Sequence, residues 1–346
     1  MNSPGRHKAG ALSSNAPHRL SRQVHHAGEA VGVALNAVIV AVKATEPVVA
    51  VVPAQPAGEE ALPCGAFRPS EHGTLEGGLR AWVHAQTGVE MGYLQQLCTL
   101  SDQAEGAARP PTAPPIIAVS YLALVGPRQC SDRTRASWRS WYAFLPWEDW
   151  RHGRPECLAD ISARLEAWAA QAEPPCAAKW APDRRQRLRL AFGNGGAGWD
   201  EEKVIERYEL LGEAGIVGPA AEDPGRGAGT ARRVPRLAHP MLGDQALVLA
   251  RAIGELRRAV KYRPVVFELM PDAFTLFELQ RTVEAILGPN LHKQNFRRLV
   301  ESCGLVEATG EFRLRTGGRP ARLYRFRRDV IYEQAAPGVR VKPGRA

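Results

Sequence analysis

Cysteine, methionine and long apolar runs are all scarce in this chain, and each scarcity excludes something. The 346 residues include six cysteines and four methionines. Cys64, Cys98, Cys130, Cys157, Cys176 and Cys303 form no Cys-x-x-Cys pair and have no histidine at zinc-site spacing. Neither a structural zinc site nor a disulfide-stapled scaffold is expected, and the thiols read as the reduced cysteines of a cytoplasmic protein. The longest nearly apolar run, 33–42, already contains Asn36 and is soon interrupted by Lys43 and Glu46. It is too short to span a bilayer, which takes about 20 residues. The first thirty residues are polar and lack an apolar stretch, so they do not read as a secretory signal. His25 and His26 fall within this segment, which reads as a disordered, His-rich basic tail rather than a metal site.

Excess charge is also missing from most of the chain. Before Arg257 there are 27 basic and 27 acidic residues; from Arg257 onward there are 18 basic and 9 acidic. The formal net charge of +9 therefore belongs entirely to the last quarter. A field of that sign attracts polyanions, and binding driven by it weakens steeply with salt. A hydrophobic content of 45% with 23% charged residues is that of a soluble globular chain, long enough for two domains. The 33 glycines and 27 prolines imply long loops.

Residues 33–42 and 48–52 are valine-rich and read as two strands, a candidate hairpin broken at Thr45-Glu46-Pro47. Residues 55–63 read as a loop. A helix is expected over 74–86, with Leu75, Leu79, Trp82 and Val83 on one face and Gly88 as its stop. Strands are expected over 93–100 and 116–125, separated by a proline-rich loop over 104–115. Four tryptophans, Trp138, Trp141, Trp147 and Trp150, crowd the next stretch. Such a cluster can stack on nucleobases, but covering a sheet or forming a domain contact is the favoured reading. Helices follow over 158–172 and 203–215, then a Gly- and Arg-rich mobile loop. A long helix over 243–260 would connect to the C-terminal segment, and its apolar face could support dimer contacts.

That segment has the order helix, short turn, basic helix, basic hairpin: a winged helix-turn-helix. Thr275 and Glu278 stand at capping-box spacing. Leu279, Val283, Ile286 and Leu287 form an apolar stripe, Gly288 supplies a left-handed stop, and Asn290 is a good N-cap for the next helix. In that helix Phe296, Leu299, Val300 and Cys303 recur at core spacing, leaving Lys293, Gln294, Asn295, Arg297 and Arg298 on the other arc. These are side-chain types that pair with guanine and adenine edges or hold phosphates. Lys293, Gln294 and Arg297 are the candidates for base reading and Arg298 for phosphate. At the hairpin tip Gly317, Gly318 and Arg319 allow close approach to a groove, with Arg322 on the returning strand. A winged helix used for protein contacts is the competing reading, which the Gly–Arg wing disfavours.

The stretches YRPVVFELMPDAFTLFELQRTVEAILG, HKQNFRRLVESCGLVEATG and GGRPARLYRF together resemble, in composition and order, the Nudix-related regulators of NAD metabolism of bacteria. The alphaproteobacterial branch is the most similar. In the N-terminal half the resemblance rests on TLEGGLRAWVHAQTGVEMGYLQQLCTLSDQ and IIAVSYLALV. It implies an α+β protein: a diverged Nudix-like αβα sandwich followed by a winged helix-turn-helix. The implied divisions are a tail (1–30), a Nudix-like effector domain with a helical extension (31–218), a mobile loop (219–239), a connector helix with the DNA-binding domain (240–330) and a basic tail (331–346).

The Nudix enzyme motif, anchored on Gly88-Val89, places its glutamates on Gly73, Trp82, Ala85 and Gln86 and its arginine on Ala81. Only Val83, Gly88 and Val89 keep the pattern, and all three are structural. Hard divalent cations need those carboxylate oxygens to hold a pyrophosphate. No catalytic residue, metal or cofactor is therefore expected, only a pocket that binds without cleaving. The resemblance implies an adenine-containing effector (ADP-ribose, NAD or ATP), with Arg68, Arg80 and Arg109 as weak phosphate candidates. It further implies a homodimeric repressor of NAD synthesis or salvage genes that binds a promoter palindrome in double-stranded DNA, with no membrane partner. The alternatives are a Nudix pyrophosphohydrolase with an appended DNA-binding domain, and a module acting on RNA.

Overall fold

The structure is a computed structural model and describes residues 31–54, 59–101, 115–131, 134–171, 183–218, 237–314 and 320–329. Arg109, Cys176, the wing tip Gly317–Arg319 as residues 317–319, both expected tails and nearly all of the expected mobile loop lie outside them.

The valine-rich runs form an antiparallel hairpin, β1 (Gly32–Lys43) and β2 (Glu46–Pro53). Ala44, with φ 60°, makes the reversal. The first half of β1 instead pairs with β4 (Cys64–Ala66), so the sheet splits along this strand. On its other side β1 runs parallel to β6 (Ile116–Leu124), which pairs antiparallel with β5 (Tyr93–Ser101). The short strands β3 (Glu60–Ala61) and β7 (Ser137–Ser140) both flank β2. Residues Glu60 and Ala61 were expected in a loop; β2 offers an open ladder there, and the Glu60 carboxylate accepts from Arg139 Nε at 2.7 Å on β7.

Both sheet faces are covered, so β1 is apolar without alternation. Leu35, Ala37, Ile39 and Ala41 face one core with Leu79 and Val83. These two come from α2 (Leu75–Thr87), which follows the short α1 (Pro69–His72). Thr74 caps α2 by accepting from the Gly77 amide, and Gly88 ends it in the left-handed conformation. Val38, Val40 and Val42 face a second core filled by helices. It takes in α3 (Trp141–Phe144), α4 (Cys157–Ala169), α5 (Arg184–Phe192), α6 (Val204–Glu213) and α7 (Gln245–Tyr262). Helix α5 carries no clear apolar periodicity, since its nine residues include four arginines; its start is fixed by Asp183, which accepts from the Gln186 amide at 2.7 Å.

The apolar face of α7 is not available to a second chain. Val248, Leu249, Ala252, Ile253, Leu256 and Val260 are all buried within this one, packed against α6, the sheet and the winged helix. The expectation that this face supports dimer contacts is therefore corrected. The tryptophans behave as the covering cluster: Trp141 and Trp147 are fully buried, and Trp150 packs on Trp199 with ring centroids 4.6 Å apart. The second core continues without a break into Val283, Phe296, Val300 and Leu305. Among the described residues no helix is long and apolar enough to cross a membrane.

Candidate nucleic-acid interface

The winged helix begins where α7 turns at Arg263 into a 3-10 turn over Pro264–Leu269. Helix α8 (Leu276–Leu287) follows, then α9 (Lys293–Ser302) and the hairpin β8 (Val306–Arg313) and β9 (Ala321–Phe326). Phe274 bridges to Tyr324 through two backbone hydrogen bonds of 2.9 and 2.8 Å, adding a third rung to the wing. The expected capping box is present: the Thr275 hydroxyl accepts from the Glu278 amide, and the Glu278 carboxylate accepts from the Thr275 amide. Glu278 also pairs with Arg313, so one carboxylate fixes both the start of α8 and the end of β8.

The turn between the two helices differs from expectation in two ways. Gly288 has φ 97° and ψ −65°, a positive φ outside the left-handed helical region. Asn290 does not cap α9; His292 stands at that position without a side-chain bond. The Glu284 carboxylate ties down the turn ahead of α9 without capping it, accepting from the Leu291 amide at 2.9 Å while also holding Gln280 and Arg281. The glutamate lies on α8 and reaches across the turn, which sequence spacing does not reveal.

On α9, Phe296 and Val300 are buried and Leu299 is half-buried. Lys293, Gln294, Asn295, Arg297 and Arg298 are all exposed and make no hydrogen bond or ion pair among the described residues. Arg322 on β9 is likewise exposed and unpaired, whereas Arg325 is held by Glu307 at 2.7 Å. Five polar or cationic groups thus stand free along the outer arc of one helix, beside a basic hairpin. Desolvating them costs little when an anion replaces the water.

The rear of this unit is clamped to the rest of the chain. Tyr142 Oη donates to the Ala285 carbonyl at 3.0 Å, and Arg257 Nε donates to the Ile286 carbonyl at 2.9 Å. Both carbonyls belong to the last turn of α8, which has no intrahelical donors for them. Arg257 also donates to Glu148 at 2.6 Å, and Glu148 receives Arg207 at 2.6 and 2.9 Å. All three side chains are fully buried, with Trp199 stacked on the Arg207 guanidinium at 3.8 Å. Burial alone would push the Glu148 carboxyl up; the two guanidiniums overcome this and hold it below the usual range. None of these residues was singled out from sequence. The signal was present: Arg207 and Arg257 interrupt the apolar faces of α6 and α7, lying between Val204 and Leu210 and between Ile253 and Val260.

Residues 266–326 match the family model of the NrtR DNA-binding winged helix domain. The C-terminal segment is an NrtR-type winged helix. The ADPR responsive transcriptional repressor NtrR of Acinetobacter baylyi is 44% identical over 83 residues, which is 24% of this chain and 33% of that one. The chain thus matches about a third of the length of this relative. The structure of NrtR from Shewanella oneidensis complexed with a 27mer DNA has the same fold at 18% identity, with a TM-score of 0.51 over 87% of this chain and 95% of that one. A second structure of the same protein gives 0.50 at 20% identity over 86% of this chain. The likeness extends over the N-terminal half that precedes the NrtR-type winged helix, so the two proteins share their overall fold.

In that half, helix α2 occupies the position of the Nudix motif, and its side chains are committed to structure. Trp82 Nε1 donates to the Ala66 carbonyl at 2.9 Å, and its ring fills the space over Gly65, where a Cβ would collide with it. Gln86 clasps Cys64 at both backbone groups, donating to its carbonyl at 2.6 Å and accepting from its amide at 3.1 Å. Gly73, Ala81 and Ala85 are exposed and offer no ligand atoms. Among the described residues no group of three or more His, Cys, Asp or Glu side chains converges as a metal cage would require. Arg68 pairs with Glu71 at 3.1 Å and Arg80 with Glu76 at 2.8 Å, so both phosphate candidates are engaged locally. They do not line the cleft of about 510 Å³ between β5 and α7. That cleft is bordered by four carboxylates against Lys203, Arg251 and Arg258, a balance that disfavours a free pyrophosphate there.

Proposed function

We propose that this chain is a DNA-binding transcriptional repressor of NAD metabolism. In this reading its Nudix-like half senses an adenine nucleotide of the ADP-ribose type without hydrolysing it. The observation that carries the reading is the free basic arc of α9 in a segment that matches an NrtR DNA-binding domain. Arg297 and Lys293 read base edges or phosphates in a major groove, Gln294 and Asn295 supply amide pairing, and Arg298 and Arg322 hold the backbone. The unit acts in the cytoplasm as a homodimer on a palindromic site, with Gly317, Gly318 and Arg319 at the wing tip. The name of the Acinetobacter relative supports ADP-ribose as the effector class.

The hydrolase alternative is disfavoured by the residues on α2, where Gln86 is bonded to backbone and Ala85 and Ala81 carry no oxygen ligands. Thermal-shift measurements with ADP-ribose, NAD, ATP and nicotinamide mononucleotide test the sensor reading. One adenine nucleotide raises the melting temperature selectively; stabilisation is about 2.7 kcal/mol at a hundredfold excess over Kd. With ADP-ribose and Mg²⁺ the same sample releases no AMP. Release of AMP establishes the enzyme instead, and no shift with any of the four removes the sensor.

A further inference from the structure

Helix α8 is held at both ends. At its start Glu278 ties it to the wing through Arg313. At its far end the chain must turn within a few residues into α9, and the last turn of a helix leaves its carbonyls without internal donors. The Glu284 carbonyl accepts from the Gly288 amide at 2.8 Å. The next two are taken by side chains from outside the winged helix: Ala285 by the Tyr142 hydroxyl at 3.0 Å and Ile286 by Arg257 Nε at 2.9 Å. Gly288 then seats against the same wall, where a Cβ would lie 3.4 Å from the Trp150 Cβ and 3.6 Å from the Glu148 carbonyl oxygen.

Neither donor is free to swing. Tyr142 on α3 is buried, with the Arg151 guanidinium 4.6 Å from its ring centroid and the Trp141 ring edge-on at 5.7 Å. Burial pushes its phenol up from the ordinary value, so at neutral pH the hydroxyl keeps its proton and donates. Arg257 is fully buried and also donates to the Glu148 carboxylate at 2.6 Å and the Glu201 carbonyl at 3.0 Å. Beyond Gly288 the chain is tied back to α8 at Leu291, whose carbonyl accepts from Gln280 Nε2 and whose amide donates to Glu284, both at 2.9 Å. Lys293, the first residue of α9 and of its exposed arc, stands two positions further on. The placement of the start of α9 therefore follows the last turn of α8, and that turn follows α3 and α7.

A recognition helix offers its N-terminal side chains to base edges, and such contacts need a geometry held to about 0.5 Å. A non-specific grip on phosphates depends on charge and tolerates larger displacements. We infer that Tyr142 and Arg257 are positioning residues for sequence reading: from the N-terminal half they fix the end of α8 and so set where α9 enters the groove. The inference rests on the DNA-binding reading above. It makes sequence discrimination a property of both halves of the chain. A shift of α3 against α7 alters it with no change in the side chains of α9 itself.

Tyr142→Phe isolates the clamp, since it deletes one hydroxyl and keeps the buried ring, whereas removing Arg257 strands Glu148. Thr87→Val is the control: it deletes an equally buried hydroxyl, bonded to the Val83 carbonyl at 2.7 Å at the end of α2. The full-length chains are titrated by fluorescence anisotropy, well below their melting temperatures, against two labelled duplexes of about 30 base pairs, three turns of B-DNA. One duplex is selected by the wild-type chain from a random pool; the other is of mixed sequence. Tyr142→Phe loses about fivefold in affinity for the selected duplex, the scale of one hydrogen bond. Its affinity for the mixed duplex and its salt slope stay those of wild type, because no phosphate contact is lost. Thr87→Val keeps both affinities. A wild-type ratio of the two affinities in Tyr142→Phe, an equal loss on both duplexes, or the same loss of ratio in Thr87→Val overturns the inference. If the wild-type chain selects no duplex from the pool, the DNA-binding reading fails and takes this one with it.

Discussion

Glu148→Ala lowers the melting temperature by about 10 °C or more, measured by calorimetry or circular dichroism at neutral pH. Glu148 is the one carboxylate between Arg207 and Arg257, and all three side chains are fully buried. Removing it leaves two guanidiniums in a dry interior. Breaking a buried pair by deleting one partner costs about 3–5 kcal/mol, and here two charges lose their partner. Total stability is only about 5–15 kcal/mol, so the loss is a large share of it. Glu148→Gln costs less, because the amide oxygen still accepts one guanidinium. The junction also has a pH signature. The folded carboxyl of Glu148 is held below its ordinary value, first against burial and then by Arg207 and Arg257. A depressed folded pKa adds stability that is complete above the unfolded value, about 4.3 for glutamate. That stability is lost as pH falls through the lower folded value. Wild type therefore loses stability on acidification below about pH 4.3 more steeply than Glu148→Gln does. Equal acid profiles would mean the carboxylate is not ionised in the fold.

Arg297→Ala/Arg298→Ala reduces duplex affinity by about a hundredfold or more at physiological salt, with the melting temperature unchanged. A good bidentate base contact is worth about 1–3 kcal/mol. A lost phosphate contact removes about 0.9 from the salt slope as well. Both side chains are exposed and unpaired, so folding does not depend on them. Arg298→Ala alone weakens all duplexes alike, while Arg297→Ala also relaxes sequence preference. Filter binding or anisotropy on a competitor series distinguishes the two. An unchanged affinity in the double variant would move the interface off α9.

Much of this architecture is legible in the sequence. The valine runs became β1 and β2, and the uninterrupted apolar stretch of 116–125 became β6, because strands buried on both faces carry no alternation. The capping box at Thr275 and Glu278 and the core spacing of Phe296 and Val300 placed the two helices of the winged helix. These signals are local: each depends on residues a few positions apart. What escaped depends on long-range partners. The Glu148–Arg207–Arg257 cluster joins residues up to 109 positions apart. Glu284 organises the turn from the preceding helix, a contact that the local spacing of Asn290 before α9 does not reveal. The apolar face of α7 is legible as a face, but periodicity cannot say whether its partner is in the same chain. Likewise Gln86 is visible as a missing glutamate, yet only the fold shows it bonded to Cys64.

The most direct test of the account is an equilibrium titration of the full chain against duplexes from palindromic sites upstream of NAD-synthesis and salvage genes, with and without ADP-ribose. Binding is tight and weakens steeply with salt. Adding ADP-ribose shifts Kd by about 5-fold or more, a coupling of at least about 1 kcal/mol, and the nucleotide is recovered intact. Binding to no duplex, or the same Kd with and without the nucleotide at saturation, would contradict it.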